Sequence, residues 1–185
     1  CAVCVNPIFV GQAAHRLRDT QVRVVTVVGF PLGASAEQSD VAAASTALVH
    51  GAHEIDMVIP LGLALSGDLA AVSARVWAIR NATRGAVLKV ILECGHFDSG
   101  ALSQVAQAAL RGQPDFLKTS TGFGPRGATV EDIRLLRQVC QARAQVKASG
   151  GIRNYEALTR MIAAGATRVG TSNGVSIMQE FLRGA

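Results

Sequence analysis

Residues 145–174 read QVKASGGIRNYEALTRMIAAGATRVGTSNG. A short strand-like run, QVKAS, ends in a Gly-Gly pair. A helical stretch follows, which Asn154 can cap and Gly165 can close, and RVGTS then returns to strand character before a second glycine-rich turn. Strand, helix and strand in this order are the signature of parallel βα units.

The alternation extends outward from this stretch over the whole chain. AVCV, VRVVTVV, EIDMVI, VLKVILE and DFLKTS precede QVKAS and RVGTS, giving seven strand candidates. Helical stretches fit between them. Ser35 and Gln38 have the spacing of a capping box for a helix running to His50, with Gly51 at its end. Thr129 precedes VEDIRLLRQV, whose Val130, Ile133, Leu136 and Val139 share one face and whose Glu131 and Asp132 suit a helix N-terminus. The strands are nearly continuous apolar runs, as expected when helices cover one face and layered side chains fill the other.

A unit of about 25 to 30 residues argues for a (β/α)₈ barrel, which needs eight such units and typically about 250 residues. The chain begins at Cys1 directly in a strand. The expectation is therefore an α/β TIM barrel whose first βα unit is absent from this sequence. A seven-stranded variant and an open, flavodoxin-like sheet fit the same pattern and stay open at this point. With 185 residues, 49% of them hydrophobic, the chain suits a single domain spanning 1–185.

The formal net charge of +5 could suit an anionic partner, but the basic residues form no run and aromatic content is 4%. Few bases could be stacked, so a phosphorylated small molecule is expected rather than nucleic acid. Every apolar run is broken too early to span a membrane. Four scattered cysteines, Cys1, Cys4, Cys94 and Cys140, form no disulfide framework and suit a cytoplasmic protein, and Cys1 and Cys4 read as buried thiols.

Only three of the 18 basic residues are lysines, and each interrupts an apolar run: Lys89 in AVLKVILEC, Lys118 in DFLKTST and Lys147 in QVKASGG. Arginine supplies the surface charge, so these positions call for an amine, which unlike guanidinium can lose its proton. In a barrel the chemistry lies at the carboxyl ends of the strands. Lys118 and Lys147, on consecutive strands, would point into one space. Burial and mutual repulsion then push one amine towards neutrality and make it a nucleophile for carbonyls. Asp56 could move the protons that such chemistry requires. SGG at 149–151 and GTSNG at 170–174 sit where barrel loops bind phosphate through backbone N–H groups. Glu93, Cys94 and His96 lack the further ligand a catalytic zinc site needs, so no metal is expected.

Taken in order, VVTVVGFPLGAS, EIDMVIPLG, LKVILECG, DFLKTSTGFGPRGAT, VKASGGIR and GATRVGTSNG closely resemble the deoxyribose-phosphate aldolases. The resemblance implies a class I aldolase without metal or other cofactor. Such an enzyme reversibly splits 2-deoxy-D-ribose 5-phosphate into D-glyceraldehyde 3-phosphate and acetaldehyde. It makes Lys118 the Schiff-base lysine, Lys147 its pKa-lowering neighbour, Asp56 the proton shuttle and Lys89 a source of supporting charge. It adds Cys4 and Thr119 as pocket residues, and Gly122, Gly150, Gly151, Ser172 and Asn173 as phosphate contacts.

Asn173 stands where the family commonly has a second serine, and the first-strand motif Asp-His-Thr-Leu-Leu-Lys-Pro has no counterpart here. The terminal tyrosine of some members is also unmatched, Tyr155 being the chain's only tyrosine. Two rivals fit the same residues. One is a Schiff-base aldolase or transaldolase for another sugar phosphate; the other is a barrel that binds a sugar phosphate without turnover. A free edge beside AVCV would invite pairing with another chain, so a homodimer is compatible with this reading.

Overall fold

The computed structural model describes residues 2–184. Cys1 lies outside the described residues. Seven strands alternate with eight helices among those described. The order is β1 (Ala2–Val5), α1 (Val10–Leu17), β2 (Arg23–Val28), α2 (Glu37–Val49), β3 (Glu54–Val58), α3 (Leu61–Leu65), α4 (Leu69–Ala82) and β4 (Val87–Ile91). It continues with α5 (Ser99–Arg111), β5 (Phe116–Lys118), α6 (Val130–Cys140), β6 (Gln145–Ser149), α7 (Tyr155–Ala163), β7 (Arg168–Gly170) and α8 (Gly174–Leu182). All seven strand candidates are therefore present.

Every neighbouring pair of strands is parallel, and the spatial order β1 to β7 follows the sequence. That order disposes of the flavodoxin-like alternative, in which the order reverses at a switch point. The sheet is curled: Arg168 on β7 reaches across the interior to Glu54 on β3, with Nη1 3.1 Å from Oε2. The architecture is a curled parallel half-barrel of α/β type.

Strand alternation divides the side chains into two sets. Ile55, Met57, Leu88, Val90, Leu117 and Val146 point outward and are buried against the helices. They pack with Val72, Val76 and Ile79 of α4, Leu102 and Val105 of α5, and Ile133 and Leu136 of α6. This layer is the hydrophobic core. The inward set carries the charges.

Two helix starts agree with the sequence reading and one does not. Asn154 accepts from the Ala157 N–H at 2.8 Å. Thr129 and Asp132 form a complete reciprocal capping box. Thr129→Ala should cost about 1 kcal/mol. In a chain of this size that lowers Tm by roughly 2–4 °C in a thermal melt. An unchanged Tm would mean that the Asp132–Arg126 pair alone holds this end.

The box read from Ser35 and Gln38 does not form, because α2 begins at Glu37 and Ala36 occupies its cap without a side-chain bond. Arg75 of α4 fixes this end instead, donating to the Ser35 carbonyl at 3.1 Å and to Asp40 at 2.8 Å. Among the described residues no helix is long and apolar enough to cross a membrane.

Candidate active site

The inward set follows from register. In a parallel sheet, paired residues face the same side, and Asp56 pairs with Lys89 while Lys118 pairs with Lys147. Lys89 pairs with Phe116 rather than Lys118, so the stagger sets Lys118 and Lys147 one inward position further towards the carboxyl ends than Asp56 and Lys89. All four side chains then converge.

Asp56 is their centre. Its Oδ1 accepts from Lys89 Nζ at 2.7 Å. Its Oδ2 accepts from Lys118 Nζ at 2.8 Å and from Lys147 Nζ at 2.7 Å. The carboxylate is fully buried, Lys89 is 0% exposed, and the side chains of Lys118 and Lys147 keep 7% and 8% of their surface. The two lysines expected to act together are thus the two that retain a solvent-facing side. Lys89 retains none.

Burial alone would raise the Asp56 carboxyl. The charges of Lys118, Lys147 and Lys89, with the hydrogen bond from Lys118, outweigh it and hold the group well below the usual carboxylate range. The Lys147 ammonium is pushed down from its ordinary value, first by burial and then by Lys118 and Lys89, against the attraction of Asp56. Asp56, expected to move protons for the amines, is in direct contact with both of them.

Lys118 and Lys147 differ in their surroundings. A Cβ on Gly170 of β7 would lie 3.1 Å from Lys147 Cε and 3.8 Å from its Nζ. The end of Lys147 therefore lies against the β7 backbone at Gly170, where a larger residue would crowd its Cε. No glycine presses on Lys118 in this way.

Beneath this cluster lies a pair the sequence reading passed over. Glu54, two residues before Asp56 and on the same face, accepts from Lys89 Nζ at 2.6 Å and pairs with Arg168 at 3.1 Å. Burial would raise Glu54, but the hydrogen bond and charge of Lys89 and the charge of Arg168 hold it lower than usual. Arg168 also stacks over the Phe116 ring at 5.4 Å. Strand alternation alone would have placed both residues inward.

The loops at the carboxyl ends are stitched together. The Ala128 N–H donates to the Gly150 carbonyl at 3.0 Å, and Thr171 Oγ1 donates to the Ile152 carbonyl at 2.6 Å. The loops after β5, β6 and β7 thereby form one rim. Gly150 and Gly151 have φ of +90° and +77°, open to glycine alone, and Gly150 packs against Gly127 and Ser120. Gly122 is exposed at φ +95°. Ser172 and Asn173 are exposed just before α8, and Asn173 makes no side-chain cap bond.

Thr119 ties two strands together. It is fully buried, and its hydroxyl both donates to the Ser149 carbonyl and accepts from the Ser149 N–H. It holds β5 to β6 and does not face the amines. Glu93, also unassigned in the sequence reading, braces the β5 rim by accepting from the Thr121 backbone at 3.1 Å and from its hydroxyl. Gly124 gives it room, since a Cβ there would stand 2.6 Å from its carboxyl carbon.

Cys94 and Cys140 are buried, whereas Cys4, expected to be a buried thiol, is exposed. Its strand is bonded to β2 alone among the described residues, so nothing covers its other side. The atoms that do pack around Cys4 raise its thiol, with Asp56 adding to the effect and the three lysines opposing it. Cys4 therefore belongs to the electrostatic neighbourhood of the cluster. Among the described residues, no three His, Cys, Asp or Glu side chains are grouped so as to hold a metal. Two surface grooves of about 350 and 680 Å³ lie elsewhere, lined by α5, α6 and the amino ends of the strands.

Comparison with known proteins gives consistent matches. A sequence profile described as DeoC/LacD family aldolase matches residues 1–182. A deoxyribose-phosphate aldolase of Thermus thermophilus is 52% identical over 176 residues, covering 95% of this chain and 80% of that protein. One from Deinococcus radiodurans is 46% identical and covers 100% of this chain and 84% of its own length. The solved structure of a deoxyribose phosphate aldolase from Aeropyrum pernix, described as tetrameric, superposes with a TM-score of 0.89 at 32% identity, covering 97% and 76% of the two chains.

Proposed function

The chain belongs to the DeoC/LacD family of aldolases, and from that premise we propose that it is a class I deoxyribose-phosphate aldolase in which Lys118 forms the Schiff base. The observation that carries the reading is the shared Oδ2 of Asp56, which accepts from both lysines at 2.8 and 2.7 Å. Two ammonium groups on one carboxylate oxygen repel each other, so losing one proton from the pair relieves repulsion while the other still neutralises Asp56. The amine set free is the nucleophile. Of the two, Lys118 is the one that stands in the KTSTGF stretch resembling the family's Schiff-base segment.

The neutral Lys118 amine adds to C1 of the open-chain sugar. Loss of water from the carbinolamine, with a proton supplied to the departing hydroxyl by Lys147 or through Asp56, gives the iminium. A base takes the C3 hydroxyl proton, the C2–C3 bond breaks, and its electron pair moves into the iminium to give an enamine. D-Glyceraldehyde 3-phosphate leaves. Protonation of the enamine at C2 and hydrolysis of the imine release acetaldehyde and restore the amine. Asp56, touching both lysines, suits the passage of each proton. The β5–β7 rim of Gly122, Gly150, Gly151, Ser172 and Asn173 supplies donors for the substrate phosphate.

The test is covalent trapping. Incubation with acetaldehyde followed by borohydride should add a single ethyl group to the intact mass, and peptide mapping should place it on Lys118. A folded protein that gains no mass under these conditions would overturn the reading.

A further inference from the structure

Among the described residues, four cationic side chains, Lys89, Lys118, Lys147 and Arg168, are joined to two anionic ones, Glu54 and Asp56. The linked cluster holds a formal excess of two positive charges in a buried place. Lys118 and Lys147 face the substrate space, whereas Glu54 and Arg168 lie below, at the amino ends of β3 and β7. Lys89 joins the layers, with its ammonium 2.6 Å from Glu54 and 2.7 Å from Asp56.

Resting on the Schiff-base reading, we propose that Glu54 and Arg168 are positioning residues which, acting through Lys89, set the charge beneath the amines and so the pH range in which Lys118 attacks a carbonyl. Neither forms a hydrogen bond or ion pair with Asp56, Lys118 or Lys147, although Arg168 is the register partner of Lys147 on the adjacent strand. Their influence is electrostatic, and its sign follows from their own charges. An anion removed from below makes the protonated amine pair less favourable; a cation removed makes it more favourable. Cys4 on β1 is a further ionisable side chain on the inward side, paired with Val25 beside Glu54. Its thiol is raised from its ordinary value, which keeps it neutral through the range concerned.

Glu54 also explains why Lys89 can be fully buried. An ammonium out of water needs a compensating anion, and Asp56 is already shared with two other amines. Glu54 gives Lys89 its own partner, which leaves the Asp56 Oδ2 side to the reacting pair. Arg168 then balances Glu54 and closes β7 towards β3.

The experiment measures the rate of Lys118 modification by acetaldehyde with cyanoborohydride from pH 5 to pH 8, read by mass. Wild type, Glu54→Gln, Arg168→Met and the double variant are compared, each checked by circular dichroism. Glu54→Gln keeps the side-chain shape and should move the acid limb of the profile to lower pH by about one unit. Arg168→Met, whose parent side chain is already 32% exposed and so tolerates change, should move it to higher pH. The double variant should return towards wild type, although its packing is altered twice.

Opposite shifts that cancel support the proposal; losses of rate without movement in pH, or shifts of one sign, overturn it. If Glu54→Gln does not fold, an Arg168→Met profile coincident with wild type overturns it alone. Absence of any adduct on wild type would instead bring down the Schiff-base reading, and this inference with it.

Discussion

Lys118→Met should abolish the trapped acetaldehyde adduct and lower cleavage of 2-deoxyribose 5-phosphate by about 10⁴-fold or more, the scale of losing a covalent nucleophile. Methionine retains most of the apolar stem of lysine and removes only the amine, so packing against the strand is largely kept. The cluster then loses one of the three ammonium groups around Asp56, while Lys147 remains on Oδ2 and Lys89 on Oδ1. Its formal positive excess falls from two to one. The variant should therefore melt at the same temperature as wild type or higher, a loss of function with no loss of stability. The measurement is kcat/KM beside a melt and an intact-mass trap. A trapped adduct that persisted on Lys147 would reverse the roles of the two lysines.

The sequence alone disclosed much of this site because a barrel converts strand alternation into geometry. Lys118 and Lys147 sit at equivalent places in consecutive strands, and the observed pairing of those two residues is what such spacing implies. Asp56 and the glycine-rich strand ends were legible for the same reason. Glu54 and Arg168 were missed although they obey the same period of two. A charged residue at a strand's amino end looks like a surface residue until the curl of the sheet brings β7 across to β3, and that closure is a property of seven strands together. Cys4 was misjudged because burial depends on what covers an edge strand, which the residues of the strand do not encode. Ser35 was misjudged because α2 starts two residues later, with Ala36 at its cap, while Arg75, 40 positions away, binds the Ser35 carbonyl. Local signals located elements and faces; long-range ion pairs decided which side chains meet.

Those ion pairs make Asp56 the most exposed point of the design. Asp56→Asn keeps the volume and removes the one carboxylate, among the described residues, in contact with both Lys118 and Lys147. Cleavage should fall by about 10²–10⁴-fold, the usual range for a positioned acid–base group. Stability should fall as well, by up to about 3–5 kcal/mol at neutral pH, because buried ammonium groups are left without their counter-ion. The pH dependence gives the sharper test.

In wild type the Asp56 and Glu54 carboxyls are lowered by folding. Their contribution is fully present above the unfolded carboxylate range near pH ~4 and is lost as pH falls through their lowered folded values. In Asp56→Asn the dominant change moves to the alkaline side. Amines that have lost their carboxylate are favoured neutral in the fold, so above neutrality the unfolded chain binds more protons than the folded one and stability rises with pH. Urea denaturation at pH 6 and pH 9 should therefore show the deficit of Asp56→Asn relative to wild type shrinking at pH 9. A deficit equal at both pH values would mean that the substituted amide repairs the hydrogen bonds without any lysine giving up its charge. In that case the carboxylate would hold the amines in place without governing their protons.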